Sequence, residues 1–373
     1  MSPILFSEHS ANNGKKIVQV TLNSEKSLNA LTLEMIEILL PKMQEWEADD
    51  SVACVLLDGA GDKAFCAGGD IRNLYMGMTG EGEEGFCETF FTKEYQLDYA
   101  IHKFSKPFVC WGNGIVMGGG LGLMSGANYR VVTESSRIAM PEVSIGLYPD
   151  VGGTWFLNRM PGRLGLFLGL TASAMNAADA RYVGLGDRFV IHEKKKLFIE
   201  MLCGTDWATA DERSLEVLHH GVNTALRQLE QDSMEALPES NVLKHFEQIN
   251  SLMDHYELSD IVNAILTLET DDRWLQKAQG AVKGGSPVSM VTIFQQLQRG
   301  RHLSLKEVFI SELDLSVNCT KAGEMAEGVR ALLIDKDGKP DWRFKSLEQV
   351  DYKWIESLFI SPWQNQKHPL TDM

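Results

Sequence analysis

The run KIVQVTLN (16–23) alternates apolar and polar residues, with Val18, Val20 and Leu22 on one face, the spacing of a half-buried strand. From Leu31 the period lengthens. Leu33, Ile36, Leu40, Met43 and Trp46 recur at helical spacing, Thr32 is placed to cap the first turn, and Pro41 should kink that helix or end its first part. VACVLL (52–57) is a continuous apolar run, as in a buried strand. MGMTGEGEEGFCE (76–88), rich in Gly and Glu, reads as a mobile loop. KEYQLDYAIHKF (93–104) has helical spacing, and PFVCWGNG (107–114) is a strand that ends in glycines. GGGLGLMSGAN (118–128) is a helix opened by a glycine cluster, and YRVVTESSRIAMPE (129–142) holds two short strands around a turn.

Strands and helices thus alternate up to about residue 142, which predicts an α/β fold with crossover helices. From about residue 195 the pattern is nearly all helical, as in LKHFEQINSLMDHY and SDIVNAILTLETDDRWLQKAQ. The expected division is an α/β body over 1–195 and a mainly helical region over 196–373, without internal repeats.

Composition narrows the function classes. The chain has 373 residues, 44% of them hydrophobic, enough for a sizeable core in one large domain or two smaller ones. The net charge of -16, without a basic run, disfavours nucleic-acid binding. No apolar stretch reaches the ~18 residues of a membrane span, and MSPILFSEHSANNGKK has the pattern of neither a signal nor a transit peptide, so a cytoplasmic protein without membrane association is expected. The six cysteines are scattered and lack a C-x-x-C pair, which predicts reduced, buried thiols. The nine histidines lack ligand spacing, so no metal site is expected.

Familiar cofactor and nucleophile motifs fail. GAGDKA (59–64) fits G-x-G-x-x-A, but FCAGGD comes next instead of an amphipathic helix. In GNGIVMG, Met117 stands where a third glycine should be, and neither a phosphate-cradling G-x-x-x-x-G-K-[ST] nor a G-x-S-x-G elbow occurs. There remains a pair of glycine clusters, Gly68-Gly69 and Gly118-Gly119-Gly120, each after a strand. If those strands are neighbours, both clusters lie on one sheet edge and present bare N–H groups, the makings of an oxyanion hole. Tight turns or close helix packing explain glycines equally well.

Two carboxylates stand further along. Glu142 and Asp150 each succeed a proline within RIAMPEVSIGLYPDVGGTWFL (137–157), a stretch almost free of charge. A carboxyl group in apolar company binds its proton more tightly and can exchange it near neutral pH. The plainer alternatives are a strand-end glutamate facing water and an aspartate that caps the helix entered at VGGTWF.

Taken in order, KAFCAGGDIR, GNGIVMGGGLGL and MPEVSIGLYPDVGG resemble the crotonase (enoyl-CoA hydratase/isomerase) superfamily. Together with EGVRALLIDKDGKPDW (327–342), they resemble most its 3-hydroxyisobutyryl-CoA hydrolase branch, over essentially the whole chain. The resemblance implies a spiral of β-β-α units with a helical C-terminal region, acting on an acyl-CoA thioester in valine breakdown, with no cofactor beyond the coenzyme A of the substrate. It implies oxyanion amides at Gly69 and Gly119, a catalytic Glu142, a second carboxylate at Asp150, and a substrate-contacting Glu94, otherwise an ordinary exposed helix residue. Ser27, Leu28, Ala67 and Gly69 would line coenzyme A, with Arg72 and, more weakly, Lys336 near its phosphates. Asp70 would hold the first glycine loop and cap the segment after it.

One departure is informative. Enoyl-CoA hydratases of the superfamily carry a second glutamate just after the glycine cluster, where this chain has Gly122. The expected reaction is therefore hydrolysis of a short, branched 3-hydroxyacyl-CoA, with Glu142 either activating water or attacking directly. The alternatives are an enoyl-CoA hydratase or isomerase and a non-catalytic acyl-CoA-binding protein. The superfamily implies a trimer-type homo-oligomer, which the long C-terminal region leaves open.

Overall fold

A computed structural model describes residues 2–207 and 214–373. Among these, the apolar runs form β1 (Ile4–Ser10), β2 (Lys16–Leu22), β3 (Val52–Gly59), β4 (Ala64–Cys66), β5 (Phe108–Gly112), β6 (Ile115–Met117), β7 (Tyr129–Val132), β8 (Arg137–Ala139) and β9 (Arg188–Phe189). A six-stranded sheet has the order β1-β2-β3-β5-β7-β9, and a three-stranded sheet the order β4-β6-β8. In the larger sheet β1 is antiparallel to β2 and the remaining pairs are parallel. Parallel neighbours require crossovers. These are supplied by α1 (Leu33–Ala48), α2 (Ile71–Thr79) with α3 (Phe86–Lys103), and α4 (Gly119–Ser125); α5 (Gly153–Leu157) comes after β8. The pairs β3/β4, β5/β6 and β7/β8 each give one strand to the large sheet and one to the small sheet before a helix. The expected spiral of β-β-α units is that repeat.

The chain divides into two compact units, each discontinuous in sequence: 1–69, 97–138 and 175–240 form the first, and 70–96, 139–174 and 241–373 the second. In the first unit, Ile17, Cys54, Leu56, Val109, Trp111 and Val131 of the sheet form one core with Phe198 and Leu202 of the helix Lys195–Gly204 and with Leu218, Val222 and Leu226 of the helix Ser214–Gln231. Strand β3 is buried from Val52 to Asp58, which explains its unbroken apolar run. The second unit holds the helices beyond Asn241, including Pro287–Gly300 and Leu305–Lys321.

Several expectations change. Thr32 caps α1 by accepting the Met35 N–H, but the helix runs through Pro41 to Ala48. Met43 and Trp46 beyond the proline are buried, and the Lys106 ammonium closes the far end by donating to the carbonyls of Trp46 (2.8 Å) and Asp49 (2.7 Å). Packing and capping thus offset the hydrogen bond that proline removes. The supposed loop 76–88 is mostly helix, because α2 extends to Thr79 and α3 begins at Phe86. Asp70 caps α2 by accepting the Asn73 N–H at 3.2 Å. None of the six cysteines is in a disulfide, and all but Cys203 are buried. Among the described residues, no helix is long and apolar enough to cross a membrane.

The glycine cluster that opens α4 has a packing cause of its own. A Cβ on Gly120 would lie 2.3 Å from the Cys66 carbonyl oxygen, a backbone atom that cannot swing aside. Gly120→Ala is therefore expected to destabilise the fold by about 1–3 kcal/mol, the usual cost of overpacking, as measured by urea denaturation.

Candidate active site

The first unit carries the amide groups. Strands β3 and β5 are hydrogen-bonded neighbours, and β4 is parallel to β6, so the two glycine clusters leave the same ends of neighbouring parallel strands. Gly68 has φ +119°, a conformation open to glycine. Its carbonyl accepts the Leu31 N–H (2.8 Å), and the Ala67 N–H donates to the Leu28 carbonyl (3.0 Å). Neither bond uses the Gly69 N–H. Gly119 is the first residue of α4, where amides have no acceptor within the helix. Leu28 is itself left-handed at φ +55° and ends the 3-10 turn Glu25–Ser27. The structure thus joins Leu28, Ala67 and Gly69 in one hydrogen-bonded stretch, with Ser27 exposed beside it.

The second unit carries the acids. Glu94 of α3, Glu142 at the start of the 3-10 turn Glu142–Ile145, and Asp150 ahead of α5 are 2%, 4% and 4% exposed. Glu94 is therefore not an ordinary exposed helix residue. Nor is Asp150 a helix cap. The N-cap of α5 is Gly152, which makes no side-chain cap bond, and the Asp150 carboxylate accepts the Tyr95 hydroxyl at 2.7 Å. Glu142 Oε2 is buried without a hydrogen-bond partner.

Burial and mutual repulsion set the electrostatics. Loss of hydration raises the proton affinity of Glu94 well above the usual carboxylate range, and the charge on Asp150 raises it further. The same two causes, with a contribution from Glu94, raise Glu142. Asp150 is pushed up to about 6 by burial, against the pull of the Tyr95 hydrogen bond. Two other buried acids, Asp58 and Glu230, have cations beside them, whereas buried Glu312 is likewise pushed up, to about 8, by loss of hydration. Asp58, 1% exposed, accepts Gln19, Thr21 and Lys195 at 2.9, 2.6 and 2.8 Å. Glu230 meets Arg188 and Arg181, each at 3.1 Å. Among the described residues, Glu94, Glu142 and Asp150 have no such cation, and no group of three or more His, Cys, Asp or Glu is placed to hold a metal.

The acids draw in residues that the sequence did not single out. Ser316 of the helix Leu305–Lys321 bonds the Tyr95 hydroxyl (2.7 Å) and the Tyr148 hydroxyl (2.9 Å), and Tyr148 also donates to the Glu312 carbonyl (2.8 Å). The Glu312 carboxylate accepts the N–H groups of Gly152 and Thr154. Tyr95 adjoins Glu94 and Tyr148 lies two residues before Asp150, but nothing local in the sequence announces Glu312 or Ser316. Arg72 on α2 and Lys336, two residues beyond the turn Arg330–Ile334, are exposed, and α2 packs against that turn.

A raised carboxyl pKa destabilises the folded state once the group ionises. Stability from such a group is full below the unfolded pKa and is lost as pH rises through the folded value, for Asp150 between about 3.8 and about 6. Asp150→Asn is expected to raise Tm at pH 8 by more than at pH 5, as measured by calorimetry. An equal gain at both pH values would contradict the assignment.

Comparison with known proteins now bears on the chain as a whole. Residues 17–359 match the enoyl-CoA hydratase/isomerase family. A Danio rerio protein named 3-hydroxyisobutyryl-CoA hydrolase, mitochondrial, is 38% identical over 347 residues, covering 92% of this chain and 86% of its own. An enoyl-CoA hydratase structure from Rhodobacter sphaeroides is 33% identical with a TM-score of 0.81, covering 97% of this chain and 98% of that one. A carnitinyl-CoA dehydratase structure from Mycobacterium thermoresistibile is 32% identical with a TM-score of 0.83, covering 98% of each chain. With its β-β-α spiral, its two glycine-rich strand ends and a match over most of its length, the chain belongs to the enoyl-CoA hydratase/isomerase family.

Proposed function

We propose that this protein is an acyl-CoA thioester hydrolase that converts 3-hydroxyisobutyryl-CoA to 3-hydroxyisobutyrate and coenzyme A, a step of valine catabolism. The observation that carries the mechanism is the cluster of three buried, cation-free carboxyl groups, Glu94, Glu142 and Asp150. The name of the Danio rerio relative supports the substrate.

In this reaction the N–H groups of Gly69 and Gly119 stabilise the thioester oxygen as charge gathers on it, a contribution of about 3–4 kcal/mol per donor. Glu142 takes a proton from water as the water oxygen bonds to the carbonyl carbon. The tetrahedral intermediate then collapses, the C–S bond breaks, and the sulfur leaves with the electron pair and takes up the proton that Glu142 holds. The raised proton affinity of Glu142 suits a base, and isotope labelling distinguishes that role from direct attack. Asp150 and Glu94 orient the water and the substrate hydroxyl. Backbone at Ser27, Leu28 and Ala67 lines coenzyme A, and Arg72 and Lys336 meet its phosphates. The substrate is the partner in this proposal, with no separate cofactor, and assembly is of a trimer type. We keep the cytoplasm as the proposed compartment; the relative above is named mitochondrial, and cell fractionation distinguishes the two.

The second reading is a hydratase, favoured by the names of the two solved structures. Gly122, standing where hydratases of the superfamily carry a glutamate, weighs against it. Thiol release separates the readings. Rapid release from 3-hydroxyisobutyryl-CoA, with little from crotonyl-CoA or acetyl-CoA, is expected; loss of enoyl absorbance without thiol would establish the hydratase instead. Tight binding without either change would mean a binding protein.

Glu142→Gln should lower kcat about a thousandfold and leave substrate-analogue binding within about threefold. Turnover at the wild-type rate would refute the role of Glu142. Label from ¹⁸O-water found in the Glu142 carboxyl after one turnover would replace the base by a nucleophile. Activity should fall as pH drops through the range in which Glu142 and Asp150 gain protons, Asp150 at about 6.

A further inference from the structure

Asp150 sits on a turn that is costly to form. Val151 has φ +50° and Gly152 φ +84°. A β-branched residue rarely adopts the left-handed region, so something must hold it there. The helix Leu305–Lys321 supplies that hold. Its Glu312 is fully buried, and its two carboxyl oxygens accept the N–H of Gly152 (2.7 Å) and of Thr154 (2.9 Å), bracketing the turn just beyond Val151. Phe309, one turn earlier, lies beside Gly152, where a Cβ would meet its ring at 3.4 Å, an ordinary contact. The helix start is itself fixed by a capping box between Ser304 and Glu307.

The same face reaches the Asp150 side chain. Ser316, four residues after Glu312 and therefore on the same side of the helix, bonds the Tyr95 hydroxyl at 2.7 Å. Tyr95 has one hydroxyl proton, and it is directed to Asp150 at 2.7 Å, so Ser316 is the donor to Tyr95. The one hydroxyl proton of Tyr148 is shared between the Ser316 oxygen, at 2.9 Å, and the Glu312 carbonyl, at 2.8 Å.

We propose that the Glu312–Ser316 face of this helix is the positioning element for Asp150, Glu312 by clamping the strained turn that carries it and Ser316 by aiming the Tyr95 hydroxyl at its carboxylate. Neither residue touches substrate. Both act through Asp150, so the proposal rests on the hydrolase reading for its kinetic consequences but not for its structural ones. The titratable groups that act on or beside Asp150 are Glu94 and Tyr95 of α3, Glu142 and Tyr148 of the segment before it, and Glu312 and Cys319 of the helix.

The test uses the full chain with Glu312→Gln and Ser316→Ala. Glutamine sets an NH2 group against one of the two amide donors. For Glu312→Gln, kcat on 3-hydroxyisobutyryl-CoA should fall about thirtyfold or more with KM changed less than about threefold. Amide hydrogen exchange over residues 150–156 should quicken about tenfold or more, while other segments keep their rates. Ser316→Ala leaves Tyr95 less firmly aimed. The Asp150 carboxyl should then titrate at higher pH by ¹³C NMR, and the acid limb of kcat should move up with it. Wild-type exchange at 150–156 in Glu312→Gln would overturn the clamp, as would a fall in KM-controlled binding with kcat unchanged. An unmoved Asp150 titration in Ser316→Ala would overturn the relay, and this variant decides that half even if Glu312→Gln does not fold. If the wild-type protein releases no thiol, the hydrolase reading fails, and exchange and NMR titration judge the positioning alone.

Discussion

The desolvation of three carboxyl groups without a counter-charge is the constraint on which the candidate site depends. Glu94, Glu142 and Asp150 are buried in one unit and repel one another. Water would stabilise each by several kcal/mol more than an unpaired interior position does. Other buried carboxylates of the protein have more donors. Asp58 has three donors, and Glu324 accepts the Ser286 hydroxyl and the Arg343 N–H. Buried groups with shifted proton affinities gather at functional sites, and the cluster is a candidate on that ground.

The glycine clusters of the first unit have a different origin. Parallel pairing of β4 with β6 sets the two glycine clusters at equivalent strand ends, and the packing of Gly120 against the Cys66 carbonyl forbids a side chain there. Turn geometry and close approach were competing explanations for the glycines. Different residues answer to different causes: Gly68 takes a backbone conformation open to glycine, and Gly120 gives way to a neighbouring carbonyl. The Gly69 and Gly119 amides are left outside the bonds that fix these two turns.

Much of this was legible in the chain. The unbroken apolar run of β3, the helical spacing of α1 and the lone charges at Glu142 and Asp150 each carry a local signal. The missed strands lack one. β4, β6 and β9 have only two or three residues, too few for a period, and β1 is an edge strand with Leu5 and Phe6 exposed. Pro41 misleads because tertiary burial outweighs a local penalty. Glu94 reads as a surface residue because a helix shows its polar face the same way whether that face meets water or other acids. Glu312 lies 160 residues beyond the Gly152 amide it holds, on a helix where Asp314 nearby is only partly buried, so no window of sequence distinguishes the clamp from an ordinary charge.

The nature of the partners that hold Asp150 suits the chemistry proposed for it. An arginine or lysine beside the cluster would fix the loop more strongly, but it would also depress the proton affinity of every carboxyl near it. A carboxylate so stabilised is a poor base at neutral pH. Neutral donors avoid that conflict. The Tyr95 hydroxyl reaches the Asp150 side chain, and Glu312 holds the backbone amides beyond it, so the turn is fixed without a cation. Strain at Val151, burial of the acids and reliance on hydroxyl and amide donors all fit the proposed role, in which carboxyl groups are held in place and still exchange protons.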